Sequence, residues 1–335
     1  MSTVIALENV SMHFPVRAGF FRTRPAKAVD GVTLEISRGE TLALVGESGS
    51  GKTTLGRLSL RTLTPTSGKI LFDGQDISRS SESELRWFRR KAQAIFQDPF
   101  SSLDPFMSIF SIIEEPLKVH HQGDSDERRE RVLQALREVR LNPEEDFTSK
   151  YPHMLSGGQR QRVNIARALM LRPEYVVADE PVSMIDVSIR IEILQLLKEL
   201  QRSHGLTILY ITHDFATAKH FADKVAVMYL GRIVELGPSE EVVKEPLHPY
   251  TIALIEAVPE PDPSNRLRER SSLPGEQPSP TSIPVGCRFH PRCRFFMPGK
   301  CDVIDPPLIE VKKGKYVACH LYPDSAHTGT RDGGT

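Results

Sequence analysis

Short apolar runs rich in β-branched residues recur along this chain: TLALVG from Thr41, YVVAD from Tyr175, LTILYIT from Leu206 and KVAVMYL from Lys224. Between them, apolar residues return at three- and four-residue intervals. Alternation of buried strands with amphipathic helices predicts an α/β fold around a parallel sheet, extending from residue 1 to about 257. One predicted helix is RIEILQLLKELQRSHG, with Ile191, Leu194, Leu197 and Leu200 as its apolar face and Gly205 as a left-handed C-terminal cap. A second is DSDERRERVLQALREVRL, where Asp124 and Glu127 have capping-box spacing and Val132, Leu133, Leu136 and Val139 form the stripe.

The pattern breaks after Ala257. Residues 258–284 are so rich in proline and polar groups that they predict an extended linker or a surface arm. A cysteine-containing segment follows over 285–322, then a frayed tail over 323–335. At 335 residues the chain has room for a large domain and a small one. Its 43 basic and 43 acidic residues lack the positive field of a general nucleic-acid binder. Neither a signal sequence nor a run of about 18 apolar residues is present, so a cytosolic chain that reaches a membrane only through a partner is expected.

Candidate chemistry concentrates at strand ends. GESGSGKTT, Gly46 to Thr54, follows TLALV and matches G-x-x-x-x-G-K followed by Ser or Thr. The glycines let successive backbone N–H groups converge on phosphate, Lys52 adds charge and Thr53 a hydroxyl for Mg²⁺. YVVADEP ends in Asp179, placed to hold Mg²⁺, and Glu180, placed to polarise an attacking water. His213 closes another strand, and Gln97 lies in the loop AIFQDP. Ser156, Gly157, Gly158 and Gln159 open a further helix, a second phosphate-binding start that one nucleotide does not require.

Together these residues resemble the ATP-binding cassette family, in the order P-loop, Gln97, LSGGQ signature, Asp179–Glu180, Asp186 and His213. FQDPFSSLDP, YPHMLSGGQRQR, HPYTIALIEAVP and the cysteine tail resemble the ATPase subunits of dipeptide and oligopeptide importers, a group that also includes nickel and oligosaccharide transporters. The resemblance implies a P-loop NTPase fold, a RecA-like parallel core with an antiparallel β subdomain, a helical subdomain over about 98–165, and a small cysteine-rich appendage. It implies ATP hydrolysis coupled to import, with ATP and Mg²⁺ as cofactors. Gly46, Glu47, Ser48, Gly49, Ser50, Gly51, Lys52, Thr53 and Thr54 would bind phosphate, with Thr53, Gln97 and Asp179 around the metal. Glu180 would be the base and His213 the γ-phosphate contact, and Ser156 to Gln159 with Asp186 would serve a partner's ATP. Phe14 would stack on adenine, with Phe20 or Phe21 as rivals. A second cassette in a heterodimer, two permeases and an extracytoplasmic solute-binding protein would be the partners, at the cytoplasmic membrane face. The family's usual S-A-L-D reads SMID here, Ser183 to Asp186.

Other cassette ATPases fit this sequence less well. Repair and chromosome proteins carry coiled-coil insertions or CxxC knuckles, and translation-factor cassettes come in pairs; neither feature is present. The cysteines, Cys287, Cys293, Cys301 and Cys319, are spaced C-x5-C-x7-C-x17-C. In a reducing compartment disulfides are disfavoured, and the spacing alone leaves zinc and an iron–sulfur cluster open. The resemblance implies a 4Fe-4S cluster, remote from ATP, with Arg288, Arg292, Arg294 and Lys300 offsetting its charge.

Overall fold

The computed structural model describes residues 2–17, 23–98, 101–257 and 275–322. Strands β1 (Thr3–Arg17), β2 (Thr23–Ser37), β4 (Ser67–Phe72) and β5 (Gln75–Asp76) form an antiparallel sheet in the order β2-β1-β4-β5. The larger sheet contains β3 (Thr41–Val45), β6 (Ala92–Ile95), β7 (Tyr175–Asp179), β8 (Thr207–Thr212), β9 (Lys224–Tyr229), β10 (Arg232–Pro238), β11 (Ile309–Lys312) and β12 (Lys315–Val317). Its order is β11-β12-β10-β9-β3-β8-β7-β6, and the five strands from β9 to β6 are parallel.

Because side chains alternate along a strand, each central strand feeds two cores. Ala43, Val45, Val176, Ala178, Ile208 and Tyr210 face one side. Leu42, Leu44, Tyr175, Val177, Leu209 and Ile211 face the other. Over the first side lie α3 (Ile109–Val119), α4 (Ser125–Glu138), α6 (Gly157–Leu169), α7 (Val187–His204) and α8 (Phe215–Phe221). The antiparallel sheet covers the second side with α1 (Lys52–Ser59) and α2 (Arg86–Lys91). The remaining helices are α5 (Glu145–Thr148), α9 (Ser239–Lys244) and α10 (Pro249–Glu256).

Both anticipated caps form. Asp124 and Glu127 make the reciprocal capping box of α4, and Gly205 ends α7 at φ 66°. The stripe on α4 is buried as expected, but that on α7 is rotated. Ile193, Leu196, Leu197 and Leu200 are buried, Leu194 is partly so, and Ile191 is 59 % exposed. Three- and four-residue spacing permitted either assignment in a helix carrying five apolar residues between Ile191 and Leu197.

Where a separate appendage was expected, the cysteine segment extends the main sheet. β12 pairs with β10, Glu235 opposite Val317, and Ala318 N–H donates to Val234 O at 2.9 Å. The outer edge of β10 is thereby hydrogen-bonded rather than exposed. Lys27 N–H also donates to Pro280 O, laying the described end of the proline-rich segment against β2.

Candidate nucleotide site

Parallel strands deliver their carboxyl ends to the same end of the sheet, and these ends carry the site. β3 runs into Gly46, β8 into His213, β7 into Asp179 and Glu180, and β6 towards Gln97. These strands are neighbours in the sheet, so residues dispersed from 46 to 213 converge.

The P-loop fits only glycine at two positions. A Cβ on Gly46 would run into Met228 O, and one on Gly51, at φ 107°, into Ala28 O. Lys52, buried at the start of α1, donates to Gly46 O at 2.7 Å and Glu47 O at 2.9 Å. Burial lowers its pKa, while the carboxylates of Glu180, Asp179 and Glu47 pull the other way. Thr53 Oγ1 donates to Asp179 Oδ1 at 3.2 Å. Burial, with the adjacent Glu180 carboxylate, raises the Asp179 pKa against the lowering effect of that hydrogen bond. A cation here would offset both the burial of the Asp179 carboxylate and its repulsion by Glu180, and Thr53 and Asp179 are of the oxygen-donor type Mg²⁺ takes.

Glu180 is the point of convergence. Gln97 Nε2 donates to its Oε2 at 3.1 Å, and His213 Nδ1 lies 3.3 Å from its Oε1. Thus the three candidate catalytic residues form one cluster beside Asp179.

Ser156 and Gln159 cap the N-terminus of α6 reciprocally. Ser156 is exposed, and a Cβ on Gly157 would meet nothing, leaving the helix start open to solvent. Gly158 is different, because a Cβ there would meet Ile189 Cγ2 at 2.8 Å. Asp186 N-caps α7 without a side-chain capping bond, and Met184 beside it is 55 % exposed. The structure does not bring these residues to the P-loop of their own chain through any of these contacts. Phe14 is half-buried on β1 opposite Ala26, two residues from the Ala28 carbonyl that abuts Gly51. Phe20 and Phe21 lie outside the described residues.

Sequence reasoning missed the second anchor of the P-loop. Glu47, taken as a phosphate-binding position, is gripped by the cysteine tail. Arg292 donates to Glu47 Oε2 at 2.7 Å and Oε1 at 3.1 Å, with only 5 % of its side chain exposed. Tyr250 accepts from Glu47 N–H at 2.8 Å. The tail is therefore not remote from the nucleotide site. Nor do its arginines serve chiefly to offset thiolate charge: Arg288 pairs with Asp30 and Leu230 O, and Arg294 with Glu256. Lys300 is exposed. The signal available was an arginine inside the cysteine spacing, which has no directional meaning until the tail folds back.

The four cysteines are free thiols lining one small cavity with His248, Phe289 and His290. Burial, with the neighbouring cysteines adding to it, pushes Cys287 up to about 12 and Cys319 up to about 11. Among the described residues no group of three or more His, Cys, Asp or Glu is arranged to hold a metal ion. The four-thiolate metal site expected from the spacing is thus not formed by the side chains as they stand; they share a cavity.

Fold and site together define a P-loop ATPase. The model for "ABC transporter" matches residues 29–183, and that for "Oligopeptide/dipeptide transporter, C-terminal region" matches 234–301. An oligopeptide transport ATP-binding protein of Bacillus subtilis, AppF, is 48 % identical over 324 residues, covering 96 % of this chain and 98 % of its own. The putative oligopeptide transport ATP-binding protein YkfD of the same organism is 48 % identical over 95 % of both chains. Among solved structures, a dimeric ATP-binding cassette in a post-hydrolysis state with ADP and Pi aligns with a TM-score of 0.63 at 31 % identity, over 70 % of this chain and 98 % of that one. CbiO1 of Clostridium perfringens, part of the transporter complex cbiONQ, aligns with a TM-score of 0.64 at 32 % identity, over 73 % of this chain and 92 % of that one. The chain belongs to the ATP-binding subunits of the ABC transporter family and hydrolyses ATP in support of transport.

Proposed function

We propose that this subunit powers import of oligopeptides through a membrane permease pair. Support comes from relatives named for peptide transport that match over nearly the whole chain, where nickel or oligosaccharide cargo has no such support among the relatives above. Among the described residues no helix is long and apolar enough to cross a membrane, so peripheral attachment at the cytoplasmic face would come through the permeases. A cleft of about 550 Å³ is lined by Phe96, Val119, His120 and Arg167. It borders Gln97 through Phe96, which is 53 % exposed, and a permease segment seated there would sense the nucleotide.

The open start of α6 and exposed Asp186 suit a second cassette, in a heterodimer, whose ATP they would contact. Phosphates entering the P-loop would take over the Lys52 ammonium from Gly46 O and Glu47 O. Mg²⁺, held by Thr53, Asp179 and Gln97, would supply positive charge to the β- and γ-phosphates. Glu180 would accept the proton of the attacking water, with His213 and Gln97 orienting it; Phe14 would stack on adenine. Residues 1–257 would form the cassette, with 98–165 its helical part, 258–284 a linker and 285–322 the cysteine unit.

The cysteine segment would hold a 4Fe-4S cluster, as the family resemblance implies, with the four free thiols that line one small cavity as its ligands. Iron and acid-labile sulfide in anaerobically purified protein should both be present; stoichiometric zinc without iron would overturn the cluster. For the transport reading, permeases, this chain and its partner cassette are reconstituted in vesicles with the solute-binding protein. ATP-dependent uptake of a labelled oligopeptide is expected, and uptake of a sugar or nickel ion instead would refute peptide cargo.

A further inference from the structure

Glu47 is held at three points within a single residue. Its N–H donates to Tyr250 Oη, its carbonyl accepts from Lys52 Nζ and Ser50 N–H, and its carboxylate takes both prongs of Arg292. One of these holds, Tyr250, comes from α10, and another, Arg292, from the segment that carries the cysteines. Tyr250 is fully buried and sits in a ring cluster with Tyr229 and Phe289, at centroid distances of 4.7 Å and 5.4 Å. The Arg292 guanidinium lies 6.0 Å from the Tyr229 ring.

Arg292 does not itself line the cysteine cavity, but it sits in the chain between two residues that do, His290 and Cys293. It ends the short 3-10 turn His290–Arg292 between Cys287 and Cys293. That turn is pinned by His290 N–H to Cys287 O at 3.0 Å and Cys293 N–H to His290 O at 3.2 Å, and Cys287 N–H donates to Cys301 O at 2.8 Å. Anything that repositions Cys287 or Cys293 therefore moves the base of the arm that grips Glu47. A bidentate arginine–carboxylate pair is directional, so displacement by an ångström or so breaks one of its two bonds.

We propose that Arg292 is a positioning residue for the P-loop, through which the condition of the cysteine cavity sets the affinity for ATP. Arg292 touches no reacting atom; it fixes the Glu47 backbone whose carbonyl shares Lys52 with the phosphates. The coupling rests on the P-loop holding ATP and not on which metal, if any, the thiols bind.

The test uses the full-length chain, with binding of a fluorescent ATP analogue and steady-state hydrolysis measured together. Arg292→Met should raise Kd and KM about tenfold, the size expected for a charged hydrogen-bond pair, with kcat changed less than about threefold. Glu47→Gln should do the same, Arg292→Lys should fall between, and the double variant should be no worse than about twofold beyond either single one. Should Arg292→Met fail to fold, Glu47→Gln and Arg292→Lys weaken the same pair from either side and carry the test. Unchanged Kd, or single effects that multiply in the double variant, would overturn the positioning role. Cys293→Ser should weaken ATP binding in the wild-type background and add nothing in Arg292→Met. An equal effect in both backgrounds would overturn the coupling. Iron and sulfide content of the same samples reports separately on the proposed cluster, so loss of one reading leaves the other standing.

Discussion

Glu180 adopts a backbone conformation that side chains other than glycine rarely take, with φ at 45°. Its N–H is held by Ile211 O at 2.9 Å, and its carbonyl accepts from Ser183 N–H and Ser183 Oγ, both at 3.1 Å. These bonds over-determine the turn after β7 and aim the carboxylate between Gln97 and His213. In sequence, neither a lone histidine at a strand end nor a lone glutamine in a loop points to chemistry. Strand order makes them adjacent, and strand order is a non-local property that only the spacing of recognised motifs hinted at. His248 shows the opposite case, a residue whose role no motif disclosed. Its ring is 1 % exposed and its Nδ1 accepts from Tyr250 N–H at 3.0 Å, which requires that nitrogen unprotonated. Burial lowers its pKa to about 3. An unfolded chain takes up this proton near pH 6.5 and the folded chain refuses it, so stability falls as pH drops from about 6.5 towards 3, at ~1.4 kcal/mol per pH unit for this one proton. Thermal midpoints measured across that window should fall more steeply for wild type than for His248→Asn, which keeps an N-cap acceptor without the titration. Parallel slopes would remove His248 from the acid response.

At the level of elements, the parts read most directly from sequence were those governed by local rules. The P-loop, the capping box of α4, the left-handed end of α7 and the buried parallel strands each depend on a few adjacent residues. The orientation of α7 depended on what it packs against, and there spacing misassigned Ile191. Ile193→Ala should therefore cost about 2–4 kcal/mol by deleting packed volume, whereas Ile191→Ala should stay within about 0.5 kcal/mol. Urea unfolding distinguishes the two; equal costs would mean that the exposed face of α7 is covered in solution.

Over the whole molecule, the tail is integral to the cassette. Arg288 is buried against Asp30, whose pKa falls to about 2 with Arg288 and His13 offsetting its burial. Lys315 is buried beside β10 and donates to Glu241 O and Glu245 O. Composition could not reveal this, because a proline-rich stretch followed by cysteines reads as a tethered unit whatever surface it settles on. A chain ending at residue 285 takes Arg288 from Asp30, which keeps His13, Lys27 and Arg232, takes Arg292 from Glu47, and reopens the edge of β10. Losing these contacts and the apolar surface the segment covers should lower the thermal midpoint by roughly 5–10 °C. A shift of a degree or two would show that the tail merely rests on the cassette.

The central claim is that ATP is hydrolysed at the cluster of strand ends with Glu180 as base. Measuring ATP affinity and turnover of Glu180→Gln within the assembled transporter tests it most directly. Affinity within about threefold of wild type and turnover lowered by about 10²-fold or more are predicted. Hydrolysis at near wild-type rate would contradict the assignment.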